Sequence, residues 1–508
     1  MRVVILGGGY AGLTVTRRLE RSLPSSVELV LVDESGTHVL QHELHRLVRY
    51  PDLEETITMD LEDLVSRANT RTARVTDLDT QTREVTITPA DGTGEETLSY
   101  DVAAVCLGAE TDFYGLDSVA EHALPLKRPE HARRIRDRAL EIESGSVVVG
   151  GAGFSGIQIA GELAALAAEQ GLELDVTLVE AADRIAPMFD ATFATALERE
   201  LERQDVTVET GTAVEAATES QVTLEDERTL PADLFVWTGG IRGPAALGGE
   251  RPGADSDLRI ADRTFVVGDA GDVIDRAGAA VPASAQAAVR QARIAAQNIT
   301  KVVSDTPDDT PVFEEYRFDD PGWVVSVGDE AMAHVGPFVF GGEPAKVAKA
   351  TIGAGHLSSV GEIGRASTLV AQELGWPTPD SLDFSGTVDV PSLESTDVEA
   401  CSGDILSLPT DPATPSEFQY PLVRLALSLT ELYPAEETLD LTPMTRTPGA
   451  TAPDRLVRTV QDQLFDVAEA TFSLWLPNAG TADEEPESVE IDVAEPARDE
   501  RDDGNEGQ

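Results

Sequence analysis

Two glycine-rich loops carry the residues whose spacing predicts chemistry. In the first, Gly7, Gly9 and Gly12 follow the apolar run RVVIL with G-x-G-x-x-G spacing, and Asp33 lies 21 positions after Gly12. Glycines at this spacing allow a tight turn, the close approach of a pyrophosphate, and close packing of a helix on a strand. The helix N-terminus then presents its partial positive charge to the phosphates. The loop therefore predicts a dinucleotide site in which Asp33 accepts a hydrogen bond from a ribose hydroxyl.

The second loop repeats this arrangement with Gly151, Gly153, Gly156 and Glu180. A carboxylate at the end of the second strand favours the free 2′-hydroxyl of NAD and repels the 2′-phosphate of NADP. Arg184 lies close enough in sequence to weaken this preference. We therefore predict a second dinucleotide site that prefers NAD.

Both loops lie in the same order of elements, a strand, a loop, a helix and a second strand. The first unit reads RVVIL, GGGYAG, TVTRRLERSL and VELVLVD, and the second reads SVVVG, GAGFSG, IQIAGELAALAAEQ and DVTLVE. The second unit begins its glycine loop 144 positions after the first, at Gly151 instead of Gly7. This repeated architecture predicts an α/β fold with two Rossmann-like dinucleotide-binding domains.

The remaining segments set the predicted domain boundaries. Residues 72–100 alternate apolar and polar side chains as a meander does, TFVVGDAGD reads as a strand ending in a turn, and ASAQAAVRQARIAAQNI reads as a helix. We predict an FAD-binding domain in two parts (1–115 and 251–320), an NAD-binding domain (116–250), and a C-terminal α+β interface region (321–375). An extension with helices near 416–433 and 454–475 follows (376–476), and then a disordered acidic tail (477–508).

The charge balance is extreme, because 92 acidic residues face 38 basic ones and the formal net charge is −54. Repulsion of this size is largely screened at molar salt, where the Debye length falls to about 3 Å. With few lysines, this composition resembles that of salt-loving archaeal proteins. It excludes nucleic-acid binding, which requires basic side chains to neutralise phosphates.

Only two cysteines occur, Cys106 and Cys401, which favours a reducing compartment and excludes a disulfide framework. Cys106 lies in an apolar run and is predicted to pack in the core. We see neither a secretory signal nor an apolar stretch of membrane-spanning length, and we predict a cytoplasmic location.

Taken together, the motifs resemble those of type II NADH dehydrogenases, which are flavin-dependent NADH:quinone oxidoreductases. The motifs that carry the resemblance occur in the family's order over residues 1–360: GGGYAGL, LGAETDFYG, GGAGFSGIQIAGEL, VWTGG, VVGDAGD and PASAQAAVRQA. The resemblance implies hydride transfer from NADH to FAD, and then transfer of two electrons to a membrane quinone.

The resemblance also implies a role for individual residues. FAD would be held by Gly7, Gly9, Gly12, Asp33, Gly108 and Asp269. NADH would be held by Gly151, Gly153, Gly156 and Glu180. The implied catalytic set is Gln158 near the nicotinamide, with Gln286, Arg290 and Gln291 at the quinone site.

Three departures from the family pattern bear on the acceptor and on the membrane. Gln158 stands where the family often has a glutamate, so an amide replaces a charge beside the nicotinamide. In the quinone motif AQxxxQ the sixth position is Arg290, and the glutamine follows at 291. The family's basic amphipathic membrane anchor is not evident, so contact with the inner face of the cell membrane is expected only as a peripheral one.

Several alternatives stay open from the sequence. A ferredoxin-like acceptor, a sulfide donor, or a redox-sensing scaffold would each use the same fold, although no Cys-x4-Cys pair follows the first loop. His38, His42 and His45 are spaced for one helix face near the flavin, which we prefer over a zinc site. The two helices of the extension could dock on the body, form a homodimer or contact lipid.

Overall fold

A computed structural model describes residues 1–304, 312–319, 322–335 and 338–374. The predicted extension 376–476 with its two helices, the predicted tail 477–508, and Cys401 lie outside the described residues.

The first sheet is built around the strand Arg2–Leu6. Its β-branched and leucine side chains from Val3 to Leu6 are buried on both faces, as a central parallel strand requires. It pairs in parallel with Glu28–Asp33 on one side and with Val102–Val105 on the other. The complete sheet has eight strands, in the spatial order Arg259–Ala261, Thr264–Val266, Val102–Val105, Arg2–Leu6, Glu28–Asp33, Asn69–Asp79, Glu84–Pro89 and Glu96–Ser99.

Two helices cover one face of this sheet. Helix Tyr10–Ser22 follows directly from the first glycine loop and packs along helix Ala285–Ser304. Leu13, Val15 and Leu19 recur along the buried face of the first helix and are at most 1% exposed. Each contributes about 1.5–3 kcal/mol by leaving water, so this packing fixes the glycine loop relative to the sheet.

The second sheet has five strands that all run parallel. Their spatial order is Leu124–Pro125, Leu234–Trp237, Ser144–Gly150, Glu173–Val179 and Thr207–Glu209. Helix Phe154–Gln170 connects Ser144–Gly150 to Glu173–Val179 and ends at Gly171, which takes the left-handed conformation common after helices. An antiparallel meander accompanies this sheet, with the strands Val214–Ala217, Gln221–Leu224 and Thr229–Pro231.

The chain passes from the first sheet to the second and back through two short strands that pair with each other. Strand Glu110–Thr111 leaves the first sheet, strand Ile241–Arg242 returns from the second, and the two are antiparallel partners. The chain therefore enters and leaves the second unit at one place.

A third sheet lies near the C-terminal end of the described chain. It is antiparallel, with the strands Trp323–Val327, Glu330–Val335 and Phe338–Gly341. Helices Glu343–Ser359 and Ile363–Glu373 follow it. Both strands and helices therefore occur in the segment that the sequence predicts to be an α+β region.

Shorter elements complete the described chain. The remaining strands are Thr37–Val39 and its partner Thr58–Asp60, and Gly253–Ala254 and its partner Asp272–Val273. The remaining α-helices are Leu53–Ile57, Leu61–Leu64, Asp117–His122, Pro129–Leu140 and Ala191–Arg203. The 3-10 helices are Gln41–Val48, Ala245–Leu247 and Gly268–Ala270. The predicted α/β class with two Rossmann-like units is confirmed.

Candidate functional site

The first glycine loop shows why it needs glycines. Gly7 has φ of +102°, and a Cβ there would lie 2.2 Å from the carbonyl oxygen of Cys106. A Cβ on Gly12 would lie 1.8 Å from the carbonyl oxygen of Gly7. Gly9, at the N-cap of helix Tyr10–Ser22, instead faces open space: nothing lies within 4 Å of its Cβ position. The tight glycines fix the turn, and the open one leaves room for a ligand at the helix end.

That helix end suits an anion. No side chain caps it, and its first turn contains no acidic residue. The first N–H groups of a helix have no intrahelical partner and carry a partial positive charge. A phosphate placed there would satisfy them, so the loop fits the pyrophosphate of a dinucleotide.

Asp33 has a structural duty that the sequence did not predict. Its Oδ2 accepts a hydrogen bond from the backbone N–H of Gly8 at 2.8 Å, and its Oδ1 accepts from Ser35 N at 2.9 Å and Gly36 N at 3.0 Å. A carboxylate offers about four lone-pair directions, so Oδ2 keeps one for a ribose hydroxyl. A cavity of about 220 Å³ lies beside it, lined among others by Leu31, Asp60, Leu61, Glu62, Arg71 and Thr72.

The second loop repeats the geometry of the first. Gly151 has φ of +93°, and a Cβ on Gly156 would lie 1.8 Å from the carbonyl oxygen of Gly151. Glu180 Oε2 accepts from Ala152 N at 2.7 Å, as Asp33 accepts from Gly8. The guanidinium of Arg184 donates to the carbonyls of residues 187 and 189, and not to Glu180.

Asp269 lies beside the first glycine loop. The preceding residue, Gly268, follows strand Thr264–Val266, and a Cβ there would lie 3.4 Å from Ala11 Cβ in helix Tyr10–Ser22. Within the described chain the Asp269 carboxylate makes no hydrogen bond or ion pair. Burial raises the pKa of Asp269, and the charges of Lys127 and Arg251 oppose that rise. A carboxylate without a protein partner at this place fits an acceptor for cofactor hydroxyls.

The predicted quinone residues divide into two groups. Gln291 is 2% exposed, and its Oε1 accepts from Gly268 N at 2.7 Å, so it holds the Asp269 loop. Arg290 Nη1 donates to the carbonyl of Asp319 at 2.5 Å. The Nε2 atom of Gln286 is buried and has no hydrogen-bond partner among the described residues. Gln286 is thus the member of the set with an unsatisfied donor.

Gln158 connects three parts of the chain. Its Nε2 donates to Ser326 Oγ at 3.3 Å, and Ser326 Oγ lies 2.7 Å from His45 Nε2. Burial lowers the pKa of His45 well below its usual value, so the imidazole is neutral. The sequence did not predict Ser326 or this use of His45, although a lone serine in a buried apolar strand is a signal of a buried polar contact.

The expectation that His38, His42 and His45 share one helix face is wrong. His38 lies in strand Thr37–Val39, and the other two lie in the 3-10 helix Gln41–Val48. Histidine spacing alone cannot distinguish a helix from a strand followed by a short turn. Among the described residues no group of three or more His, Cys, Asp or Glu side chains could hold a metal ion.

His38 holds the first loop from a second direction. Its Nδ1 donates to the carbonyl of Gly8 at 3.0 Å, since a carbonyl can only accept. Burial lowers the pKa of His38 to about 4. The neutral ring therefore accepts, through Nε2, a hydrogen bond from His356 Nε2 at 2.9 Å. The ring of Tyr10 packs edge-on against both imidazoles, with its centroid 5.3 Å from that of His38 and 4.7 Å from that of His356.

Buried charges tie the C-terminal helices to the first unit. Both carboxylate oxygens of Glu43 lie 3.1 Å from Lys349 Nζ, and Arg46 Nη1 lies 2.7 Å from Glu373. Burial works to raise the pKa of Glu43, but Lys349, His42 and Arg46 outweigh it and hold the pKa well below its usual value. No sequence motif predicted this network of buried ion pairs.

Glu162 behaves differently in the same region. It lies 3.5 Å from Arg49, but that guanidinium also bonds to Glu169 and to Asp329, 2.6 Å away. Burial therefore dominates and raises the pKa of Glu162 to about 8. At pH 7 its carboxyl group is mostly protonated.

Cys106 is buried, as predicted from its apolar run. Burial raises the pKa of its thiol, which disfavours the thiolate needed for redox chemistry. No helix in the described ranges is both long and apolar enough to span a membrane.

Comparison with known proteins gives one family match and several relatives. The family model of the pyridine nucleotide-disulphide oxidoreductases matches residues 1–292. A type II NADH:quinone oxidoreductase of Staphylococcus saprophyticus is 27% identical over 362 residues, which are 64% of this chain and 87% of that protein. The enzyme of the same name from Staphylococcus aureus is 26% identical over 405 residues, covering 72% of this chain and 97% of that protein.

Solved structures agree on the fold. NDH2 from Plasmodium falciparum in complex with NADH has a TM-score of 0.62 at 12% identity, covering 74% of this chain and 99% of that chain. The sulfide:quinone oxidoreductase of Aquifex aeolicus has a TM-score of 0.61 at 17% identity, covering 71% of this chain and 91% of that chain. At such identities the likeness concerns the fold alone.

Proposed function

Because the chain belongs to the pyridine nucleotide-disulphide oxidoreductase family, we propose that it is an FAD-dependent NADH:quinone oxidoreductase. The observation that carries the proposal is the pair of matched loops, in which Asp33 bonds to Gly8 and Glu180 bonds to Ala152. One chain with two such loops can place two dinucleotides side by side. The names of the relatives support NADH as donor and a quinone as acceptor.

In this proposal FAD is held by the parts of the chain that form the first sheet, 1–115 and 251–320. Gly7, Gly9 and Gly12 form the pyrophosphate turn, Asp33 accepts from the adenosine ribose, and Asp269 accepts from a hydroxyl of the ribityl chain. Gly108 has φ of +67° with open space around its Cβ position, so its backbone allows close approach of the cofactor. Bound FAD would supply the redox chemistry, since a flavin can accept a hydride and release two electrons.

The second unit, 116–250, is proposed to bind NADH. Gly151, Gly153 and Gly156 form the turn, and Glu180 selects the unphosphorylated ribose. Gln158 is proposed to contact the nicotinamide with its amide oxygen, because its Nε2 is already donated to Ser326.

The quinone residues take separate roles in the proposal. Gln286 would contact the acceptor, because its buried amide nitrogen lacks a partner among the described residues. Arg290 and Gln291 would position the surrounding segments through Asp319 and Gly268. The balanced reaction consumes one proton from solution: NADH, a proton and a quinone give NAD⁺ and a quinol.

We also propose that the chain works on the cytoplasmic side of the cell membrane, as a peripheral protein at high salt. A lipid-soluble quinone would be reached at the membrane surface, and a net charge of −54 is tolerated when salt screens it. We also propose a homodimer as a possible active form. Light scattering of the purified chain in molar KCl measures its molar mass and so tests this.

A donor–acceptor matrix followed by flavin absorbance tests the proposal. The full chain, purified in high KCl, is mixed with NADH, NADPH or sulfide, and then with a quinone or a ferredoxin, with and without liposomes. We expect a yellow protein whose flavin absorbance is bleached by NADH and restored by a quinone. We also expect NADH:quinone turnover to be faster with liposomes than without them. A colourless protein that does not bind NADH contradicts the proposal, and reduction by NADH without quinone turnover supports the redox-sensing alternative.

A further inference from the structure

Tyr114 combines three features that a surface tyrosine rarely shows together. The residue is 63% exposed, its backbone has φ of +52°, and its hydroxyl donates a hydrogen bond to the carbonyl of Gly239 at 3.2 Å. The left-handed backbone region is costly for a bulky side chain, and such strain concentrates at binding sites. Because the ring is exposed, packing in the protein core does not explain why this conformation is kept.

The backbone before Tyr114 is hydrogen-bonded to the second sheet at two further points. The N–H of Asp112 donates to the carbonyl of Gly240 at 3.0 Å, and the indole Nε1 of Trp237 donates to the carbonyl of Asp112 at 2.7 Å. The carboxylate of Asp112 also accepts from the backbone N–H of Tyr114 at 2.7 Å. These bonds hold the ring in one place although most of its surface faces solvent.

The residue that accepts from the Tyr114 hydroxyl lies against the second glycine loop. A Cβ on Gly151 would lie 2.4 Å from Gly239 Cα, and Thr238 Oγ1 donates to the carbonyl of Gly151 at 2.8 Å. A Cβ on Gly240 would lie 2.1 Å from the Tyr114 hydroxyl. The hydroxyl end of the ring therefore lies at Gly239 and Gly240, next to the loop that is proposed to bind NADH.

The order of the strands indicates which half of NADH would reach Tyr114. Strand Ser144–Gly150 leads into the second glycine loop, with strand Glu173–Val179 beside it on one side and strand Leu234–Trp237 on the other. Dinucleotides bind at the carboxyl ends of strands where the strand order reverses in this way. Glu180 follows Glu173–Val179 and is proposed to hold the adenosine ribose. The nicotinamide half then extends toward the end of Leu234–Trp237, where Tyr114 lies.

Resting on the proposed NADH site, we propose that the ring of Tyr114 packs against the nicotinamide half of NADH as a preformed wall of that site. An aromatic ring makes favourable contacts with the flat surface of another ring. A wall that is already formed before binding avoids the cost of ordering a side chain when the ligand arrives. The exposure of Tyr114 and its strained backbone then have one explanation, because both keep the ring available to a ligand.

Binding of NAD⁺ and of ADP to the FAD-loaded full chain tests this proposal, measured by calorimetry in molar KCl. ADP contains the adenosine half without the nicotinamide or its ribose. Tyr114→Asn and Tyr114→Ser both remove the ring, and asparagine also tolerates the left-handed backbone. We expect the Kd for NAD⁺ to rise about threefold to tenfold in both variants. The Kd for ADP should remain that of the wild type, and FAD content shows that the variants fold.

Tyr114→Phe separates contact with the ligand from support of the glycine loop. It keeps the ring and loses the bond to Gly239, so its Kd for NAD⁺ should stay within about twofold of wild type. Phe338→Asn is the matched control, because Phe338 is 69% exposed on the C-terminal sheet, and it should change neither Kd.

Three results would overturn the proposal. The first is unchanged NAD⁺ binding in both variants without the ring. The second is an equal loss of ADP binding, and the third is a loss in Tyr114→Phe as large as in Tyr114→Asn, since either would show that Tyr114 only supports the loop. A wild-type chain that binds neither NAD⁺ nor ADP contradicts the proposed NADH site itself.

Discussion

Gln158 Nε2 donates a hydrogen bond to Ser326 Oγ at 3.3 Å, although the two residues are 168 positions apart. The bond joins helix Phe154–Gln170 of the second unit to the first strand of the C-terminal sheet. Because the serine oxygen also lies 2.7 Å from the neutral His45, its hydroxyl hydrogen can be donated to the imidazole while it accepts from the amide. This arrangement leaves the amide oxygen of Gln158 free.

Ser326→Ala should therefore weaken the use of NADH. Without the hydroxyl the Gln158 amide can rotate, and a hydrogen bond of this kind contributes about 1 kcal/mol. We expect kcat/KM for NADH to fall about fivefold, mostly through KM, with FAD content unchanged. Steady-state kinetics measure this, and Ser367→Ala, which loses only a bond to its own helix, is the control. If both variants show the same kinetics, Ser326 does not contribute to the use of NADH.

Variants of Glu180 should separate two roles of its carboxylate, which are to hold the second glycine loop and to select NADH over NADPH. Glu180→Gln keeps an oxygen for Ala152 N, gives up the bond that Oε1 accepts from Ala182 N at 2.9 Å, and removes the charge that repels a 2′-phosphate. The ratio of kcat/KM for NADPH to that for NADH should therefore rise about tenfold, or about 1.4 kcal/mol. Glu180→Ala also releases the loop and should weaken both donors. If the ratio does not move in Glu180→Gln, the carboxylate does not select the cofactor.

The sequence predicted the features that depend on residues close together in the chain, and it did not predict contacts between residues far apart in the chain. The glycine loops, the strand Arg2–Leu6 and the helix at 285–304 follow from short patterns whose physics lies within a few residues. Ser326 and His356 contact the site from 168 and 318 positions away, and no spacing rule in one sequence links such residues.

The histidine segment shows a limit of periodicity. His38, His42 and His45 match a helical spacing, yet His38 forms a strand pair with Met59. In this strand Nδ1 of His38 reaches the Gly8 carbonyl, a contact that the sequence cannot reveal. The local structure here is accompanied by contacts with residues distant in the sequence, which helical spacing does not take into account.

Cys106→Ala should retain full NADH:quinone activity. Its thiol is 5% exposed, and burial raises its pKa, so neither nucleophilic nor disulfide chemistry is expected of it. The small cavity should cost about 1 kcal/mol in the free energy of unfolding. Activity assays and iodoacetamide labelling of the folded wild type test this, and loss of turnover in the variant would revive a thiol mechanism.

Glu162 should make the stability of the protein depend on pH. Its pKa rises from the usual 4.5 to about 8 on folding, so between these values the native state holds a proton that the unfolded state has lost. Stability then decreases as pH rises through this window, by up to about 1.4 kcal/mol for each pH unit. In Glu162→Gln this contribution disappears, and the variant should gain stability relative to wild type from pH 5 to pH 8. Parallel pH profiles in chemical unfolding would show that Glu162 is ionised.

Lys349 should be far more important for stability than an exposed lysine. It is 4% exposed and lies 3.1 Å from both oxygens of Glu43 and 3.6 Å from Glu373. Removing one member of a buried ion network leaves a desolvated charge, so Lys349→Met should lower the free energy of unfolding by about 3–5 kcal/mol. Lys301→Met removes a surface ion pair with Glu314 and should cost about 0–1 kcal/mol.

The double variant Lys349→Met, Glu43→Gln separates this cause from a simple packing defect. Neutralising Glu43 removes the unpaired charge, so the double variant should be more stable than Lys349→Met alone. Chemical unfolding in molar KCl measures all three, and because the network is buried the ranking should persist as KCl rises. If the double variant is no more stable than the single one, the lysine acts through packing and not through its charge.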